Sequence, residues 1–268
     1  MNPTRSMSAA ALAVFLFAMP FRMADASEGL DALPAVLKVC DIGNEWPPYT
    51  FYKRENGRQT KEVVGYSVDF LKAILRPAGI DISVQLLPWK RCQHMVDTGA
   101  YDLLLNASLN LDRAARFLVS KPYYELTDVY VSLSRRRIPL VATPQDFSNL
   151  NVCGEMGYNY WNFGLPDERI DTSYQTLGAA IKKLHAGYCD VVLTRLEIAA
   201  AQKFLGDSDY VSDPQYQVRK LPYAAPTPFH MMLSRRTRYA KTLLDAVNQG
   251  IDRLQQSGEA SSLMQNYR

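Results

Sequence analysis

The segment spanning residues 106–124 has the residue types that can hold a small carboxylate. It follows an apolar strand candidate at residues 103–105 and combines small polar residues with one arginine, Arg113. The planar guanidinium group can donate two parallel hydrogen bonds to a carboxylate, and it stays charged in proteins. The alternative is a surface arginine on a short helix, so the surrounding elements decide between the two interpretations.

The first 26 residues have the pattern of an export signal. Arg5 provides a short basic region, residues 9–17 form an apolar run, and residues 24–26 (Ala-Asp-Ala) form a small-x-small cleavage site. The apolar run is too short to span a membrane, and no later stretch approaches ~20 apolar residues. We therefore expect a signal peptide at 1–26 and a soluble, periplasmic mature chain.

Charge and metal-ligand spacing exclude several functions. The full chain carries a net charge of only +3, which gives no electrostatic basis for binding nucleic acid. The basic run at residues 135–137 is short and fits a solvated loop. No Cys or His spacing indicates a zinc site, so we expect neither a metal nor a cofactor.

Four cysteines follow the export signal: Cys40, Cys92, Cys153 and Cys189. An even number in an exported protein favours disulfides over metal-binding or catalytic thiols. Three pairings remain open at this point.

The body of the chain alternates strand and helix patterns, and one unit occurs twice. A helix candidate, Gly99-x-x-Asp102 and an apolar strand recur as a second helix candidate, Gly187-x-x-Asp190 and an apolar strand. Such alternation predicts an α/β fold with mostly parallel sheets. The repeat predicts two similar lobes, although common helix-to-strand loops could also produce it by coincidence. A long helix is predicted at 237–254 and a short one at 260–267.

Five blocks of sequence, taken together and in order, resemble the extracellular solute-binding proteins of family 3, the periplasmic amino-acid-binding type. They are residues 45–49 (EWPPY), 65–69 (GYSVD), the Gly99-x-x-Asp102 unit running into 106–124, 154–158 (GEMGY) and 229–234 (FHMMLS). The resemblance implies a two-lobed type II periplasmic-binding-protein fold with two hinge-crossing strands. Lobe 1 would comprise 27–125 plus 228–268, and lobe 2 would comprise 126–227.

The resemblance also implies roles for residues of the first lobe. Arg113 matches the arginine that binds the α-carboxylate of the ligand, and Ser108 matches the hydroxyl beside it. Asn106 matches a strand-end carbonyl that receives an ammonium group. Trp46 matches an aromatic side chain that stacks on the ligand, and Trp89 lies in a loop that often lines the cleft.

In the second lobe, Gly157 and Tyr158 match a loop at a helix N-terminus, where free backbone N–H groups favour an anion. Arg195 departs from the family pattern, because amino-acid binders commonly have an acidic residue there for the α-ammonium group. A cation would instead favour an acidic ligand, unless Arg195 points away and pairs with Glu197 or another acid. Glu45 and Glu155 are the candidates for a replacement anionic partner.

The resemblance also implies how the four cysteines are divided between the two lobes. Cys40 and Cys92 fall in lobe 1, and Cys153 and Cys189 fall in lobe 2. We expect the pairs Cys40–Cys92 and Cys153–Cys189, because a bridge between lobes would hinder hinge motion. The alternative is four buried thiols.

The resemblance implies a monomeric binding protein that captures a small anionic or zwitterionic ligand and delivers it to a membrane permease complex of an ABC transporter. Two alternatives stay open. Cyclohexadienyl dehydratases resemble these binders, and Glu155 would be a candidate general acid in such an enzyme. The second alternative is a sensor or accessory protein that binds the same kind of ligand.

Overall fold

A computed structural model describes residues 33–267, so the predicted signal peptide at 1–26 lies outside the described residues. Within this part the chain forms twelve strands and seven α-helices. Ten of the strands form two five-stranded sheets, and the other two form a hairpin. No helix in the described part is long and apolar enough to cross a membrane.

The strands in chain order are β1 (Val36–Ile42), β2 (Phe51–Glu55), β3 (Arg58–Val64), β4 (Asp81–Leu87), β5 (Leu103–Ser108), β6 (Leu118–Leu126), β7 (Asp128–Leu133), β8 (Val152–Glu155), β9 (Ile170–Tyr174), β10 (Val191–Arg195), β11 (Tyr216–Lys220) and β12 (Thr227–Leu233). The α-helices are α1 (Tyr66–Leu75), α2 (Trp89–Asp97), α3 (Leu111–Arg116), α4 (Leu177–Ala186), α5 (Leu196–Ala201), α6 (Ala240–Gln256) and α7 (Glu259–Gln265).

The first sheet has the strand order β4-β1-β5-β12-β6. β1 runs parallel to β4 and β5, whereas β12 is antiparallel to β5 and β6. Every residue of β5 is buried, as expected for a central strand covered on both faces. Helices α1, α2 and α6 pack on this sheet and complete the first lobe.

The second sheet, with the order β11-β7-β10-β8-β9, repeats this plan. Its central β10 runs parallel to β8 and antiparallel to β7. The predicted repeat is confirmed, since α2 leads through Gly99 into β5 and α4 leads through Gly187 into β10. Both glycines have a left-handed φ, of 79° and 83°, which glycine adopts without steric cost.

The chain passes between the sheets twice. The first crossing joins β6 to β7 at Thr127, and the second joins β11 to β12 through residues 221–226. The crossings contact each other, because the Thr227 hydroxyl donates a hydrogen bond of 2.8 Å to Asp128 Oδ2. The two-lobed fold with two crossing strands, predicted from the sequence, is therefore the observed architecture.

Each lobe contains one disulfide. Cys40 of β1 is bonded to Cys92 of α2, and Cys153 of β8 is bonded to Cys189, just before β10. The bonds close loops of 52 and 36 residues, and chain entropy alone assigns each about 4 kcal/mol of stability. Neither bond crosses between the lobes, so neither restricts hinge motion.

Candidate ligand-binding site

The carboxyl ends of the parallel strands from both sheets meet at one cavity between the lobes. Ligands of open α/β sheets bind at these strand ends. Eight of the ten residues predicted for the site line it: Trp46, Trp89, Asn106, Ser108, Arg113, Gly157, Tyr158 and Arg195. The structure thus brings residues of both lobes together at one point.

Arg113 lies on α3, directly after the strand end of β5. The Asn110 side chain caps this helix by accepting a hydrogen bond of 2.8 Å from the Arg113 backbone N–H. The guanidinium Nη1 donates to the Ser108 carbonyl oxygen at 2.7 Å, and the group lies 5.2 Å from the centre of the Trp89 ring. These contacts fix the arginine in place while it remains 93% buried, with 7% exposure.

The charge of Arg113 has no protein counter-ion. Among residues 33–267, no carboxylate lies within ion-pair distance of it. Burial lowers the pKa of Arg113 to about 10, so the group is still charged at neutral pH. A buried, uncompensated cation is costly to the folded protein, and an anion that enters the cavity would offset that cost.

Asn106 occupies a bulge in β5. Its φ of 55° is left-handed, and the register between β5 and β12 shifts beside it. Bulges re-aim side chains next to binding sites, and here Asn106 points toward the neighbouring strands. Its amide oxygen accepts hydrogen bonds from three hydroxyl groups, those of Ser67, Tyr123 and Tyr124.

The amide nitrogen of Asn106 contacts Asp41, which lies near the end of β1 and was not predicted from the sequence as a site residue. Asp41 Oδ2 accepts hydrogen bonds from Asn106 Nδ2 and from the Thr50 hydroxyl. Oδ1 is buried without a partner among the described residues, and the side chain lines the cavity. Burial raises the pKa of this carboxyl group to about 7. An acidic residue near the carboxyl end of a buried strand was the available sequence signal.

Arg195 at the end of β10 lines the cavity and also has a counter-ion. Its Nε lies 2.8 Å from Asp128 Oδ1, and both side chains are almost fully buried. Nη2 donates to the Asn159 carbonyl oxygen at 3.0 Å. Its partner is therefore Asp128 rather than Glu197, whose carboxylate instead accepts from the Thr127 backbone N–H at 3.0 Å. The charge of Arg195 is compensated before any ligand arrives.

The structure does not bring Glu45 or Glu155 to the cavity lining. Glu45 forms an ion pair with Arg54 at 2.6 Å and accepts from the Tyr52 backbone N–H at 2.8 Å. Glu155 is buried at the end of β8 beside Tyr158, and burial raises its pKa to about 7. Neither side chain lines the cavity, so in this structure neither is placed to contact a ligand as its anionic partner.

Gly157 and Tyr158 line the cavity, but the predicted helix N-terminus beside them is wrong. The loop leads into a single 3-10 turn at Trp161–Phe163, which Gly164 ends with a left-handed φ of 70°. A turn of three residues has too few aligned peptide units to bind an anion through a helix dipole. The loop instead provides Asn159, whose Nδ2 lies 3.2 Å from Ser108 Oγ across the cleft.

Aromatic side chains form the remaining walls. The Trp46 ring lies 4.7 Å from the Tyr158 ring of the other lobe and 6.0 Å from Phe229. The indole nitrogens of Trp46 and Trp89 are buried without a hydrogen-bond partner among the described residues. The site therefore combines apolar ring faces with unused N–H donors, as is usual for pockets that bind small polar molecules.

Residues 39–268 match the model of one protein family, the bacterial extracellular solute-binding proteins, family 3. The match covers most of the chain, so the chain belongs to this family. No curated protein sequence matches it.

Several solved structures with the same fold are described as amino-acid-binding proteins. AbpA, an amino acid ABC transporter substrate-binding protein from Streptococcus pneumoniae bound to L-arginine, is 19% identical with a TM-score of 0.69, covering 87% of this chain and 94% of its own. A mutant of ArgBP from T. maritima is 18% identical with a TM-score of 0.69, covering 91% and 99%. An ABC uptake transporter protein from S. pneumoniae with bound histidine is 16% identical with a TM-score of 0.70, covering 90% and 94%.

At these identities the likeness shows the fold alone. The family and these structural neighbours are substrate-binding proteins, not enzymes. The geometry of the cavity therefore has to indicate what this chain binds.

Proposed function

We propose that this protein captures a small carboxylate-bearing ligand, an amino acid or a related organic acid, between its lobes and delivers it to a membrane permease complex. The observation that carries the proposal is Arg113, a buried cation without a counter-ion in a cavity between the lobes. A ligand carboxylate would supply the missing negative charge through charge-assisted hydrogen bonds. The amino acids bound by several structural neighbours are of this chemical class.

The residues available to contact a ligand come from both lobes, which gives a physical reason for the lobes to close on it. Arg113 and Ser108 belong to the first lobe, whereas Tyr158, Asn159 and Arg195 belong to the second. A ligand gains all of these contacts only when the lobes meet, so it would shift the population toward the closed form. We place the lobe boundaries at 125/126 and 227/228, which is supported by the change of sheet at both crossings.

The cellular setting is part of the same proposal. Export by the signal at residues 1–26 would place a monomeric protein in the periplasm, where two disulfides are stable. Glu155, the candidate general acid of a dehydratase-like activity, does not line the cavity.

A thermal-shift screen over amino acids, dicarboxylates and aromatic acids tests the proposal. A ligand that binds only the folded state at 100 times its Kd stabilises that state by about 2.7 kcal/mol and raises the melting temperature. For any ligand found, Arg113→Ala should weaken binding by about 30- to 4,000-fold, because a buried charge-assisted contact is worth about 2–5 kcal/mol.

Arg116 provides the matched control on the same helix. It forms ion pairs with Asp97 and Asp112 and is partly exposed, so Arg116→Ala should leave affinity unchanged. Equal affinity in wild type and Arg113→Ala would refute the carboxylate-binding role of Arg113.

A further inference from the structure

The cavity contains one acidic side chain, and half of its carboxyl group is unused. Among the described lining residues, Asp41 is the only acid. Thr50 and Asn106 both donate to Oδ2, which leaves Oδ1 buried without a partner. Buried polar atoms in folded proteins are nearly always hydrogen-bonded, so an unpartnered carboxyl oxygen in a cavity indicates a group supplied by the ligand.

The charges around the cavity indicate which kind of group this is. Arg195 is compensated by Asp128 at 2.8 Å, whereas Arg113 and Asp41 take part in no ion pair within residues 33–267. The two unused charges are of opposite sign and both lie on the first lobe. A ligand with one carboxylate and one ammonium group would satisfy both.

We propose that Asp41 binds an ammonium group of the ligand, so that the site selects zwitterions that place their carboxylate on Arg113. This inference rests on the proposed function, because the carboxylate contact defines where the ligand lies. It also changes the meaning of Arg195. A compensated arginine does not repel an ammonium group strongly, so the lack of an acid at the end of β10 is no obstacle to binding an amino acid.

Proton release should accompany this binding. Burial raises the pKa of Asp41 to about 7. The groups that face it are the hydroxyls of Thr50, Tyr123 and Tyr124, the amide of Asn106 and the Ile42 backbone N–H, and Arg113 and Arg195 line the same cavity. An ammonium group favours the charged carboxylate, so a protonated Asp41 would lose its proton on binding. Affinity for a zwitterion should therefore rise with pH up to about 7 and level off above it.

The experiment compares amino acids with their des-amino analogues by isothermal titration calorimetry on the mature protein. The probes are glycine and the L-amino acids other than proline, each paired with the acid that lacks the α-amino group, such as L-phenylalanine with 3-phenylpropanoate and L-glutamine with 4-carbamoylbutanoate. The amino acid of the binding pair should bind at least about 30-fold more tightly than its analogue. Its binding enthalpy at pH 7 should also differ between phosphate and Tris buffers, because protons are released.

Asp41→Asn is the diagnostic variant, since an amide oxygen can still accept from Thr50 and Asn106. This variant should bind the amino acid about 30-fold or more weakly than the wild type, and its affinity for the des-amino acid should stay within about threefold of the wild-type value. Its binding enthalpy should no longer depend on the buffer. Glu155→Gln is the matched control, because Glu155 is also buried, its pKa is also raised to about 7 by burial, and it lies outside the cavity lining. It should change neither affinity nor proton release.

Each outcome decides the question. Equal binding of both members of a pair, or full amino-acid affinity in a folded Asp41→Asn variant, would overturn the role of Asp41 and leave the Arg113 site standing. If every pair fails to bind while a ligand without an ammonium group from the thermal-shift screen does bind, the role of Asp41 alone is overturned. If no ligand in that screen binds, the proposed function is overturned as well. If Asp41→Asn does not fold, two measurements on the wild type test the role of Asp41: the ratio of the affinities for the two members of a pair, and the release of protons on binding.

Discussion

Arg113 and Arg195 face the same cavity from opposite lobes, and both are buried. Arg195 has a carboxylate partner at 2.8 Å, and its Nη2 donates to a backbone carbonyl at 3.0 Å. Arg113 has only the carbonyl and hydroxyl oxygens of Ser108 and the Trp89 ring. The two arginines are thus of one residue type and both buried, and they differ in that the protein compensates the charge of Arg195, whereas the charge of Arg113 is left for a ligand.

The counter-ion of Arg195 also links the cleft to the hinge. Asp128 is the first residue of β7, directly after the first crossing, and it accepts hydrogen bonds from Thr227 of the second crossing and from Asn162. The side chain that compensates Arg195 therefore also joins the two crossing segments. The first lobe has no equivalent of this arrangement, since Arg113 is anchored only within its own lobe.

Removal of this counter-ion should have the largest effect on stability. Asp128→Ala leaves Arg195 buried without compensation, and breaking a buried ion pair from one side costs about 3–5 kcal/mol. Urea denaturation at pH 7 measures the loss. A change below about 1 kcal/mol would show that Arg195 is compensated by something other than Asp128.

Each lobe also carries one buried acid whose pKa is raised by burial, and these two acids should make stability depend on pH in the same direction. Burial raises the folded-state pKa of Asp41 from 3.8 to about 7 and that of Glu155 from 4.5 to about 7. The folded state therefore holds more protons than the unfolded state between about pH 4 and 7. Stability from these groups is present at low pH and is lost as pH rises through 7.

Neutral amides in place of these acids should remove that dependence. As the pH rises from 4 to 8, the free energy of unfolding of Asp41→Asn should increase relative to that of the wild type by at most about 4 kcal/mol. The corresponding increase for Glu155→Gln should be at most about 3 kcal/mol. Denaturation of the empty protein at both pH values measures this. A pH profile unchanged by Asp41→Asn would mean that the carboxyl group is already ionised near pH 4.

The contact across the cleft should have the smallest effect. Asn159 of the second lobe lies 3.2 Å from Ser108 Oγ and 3.4 Å from the Leu109 carbonyl oxygen of the first. Asn159→Ala removes neutral hydrogen bonds worth about 0.5–1.5 kcal/mol in the closed form, so ligand affinity should fall by about 2- to 13-fold. No change in the dissociation rate would show that Asn159 does not hold the lobes closed.

The repeated unit and the resemblance to family 3 together predicted the two-lobed fold and most of the cavity wall, because the blocks that carry both are short and continuous in the sequence. The repeated helix, glycine and strand are encoded within about twenty residues in each lobe, and the motif after β5 places Ser108 and Arg113 at a strand end. The hairpin of β2 and β3 was missed, although Asn56 and Gly57 form the kind of turn, with φ of 50° and 74°, that Asn-Gly favours.

The remaining parts depend on contacts between distant residues. Asp41 gains its position from Thr50 and from Asn106, which is 65 residues away in the chain. The compensation of Arg195 depends on Asp128, which is 67 residues earlier and lies on an antiparallel neighbour strand. Residue types predict which groups are candidates, but only the fold shows which candidates have partners.

The most direct test of this account measures the stability of the empty protein after each arginine is replaced by methionine. Arg113→Met should raise the free energy of unfolding by about 1–2 kcal/mol, because it removes an uncompensated buried cation. Arg195→Met should lower it by about 3–5 kcal/mol, because it leaves Asp128 buried and unpaired. Changes of the same sign in both variants would contradict the distinction between the two arginines on which the proposed ligand site depends.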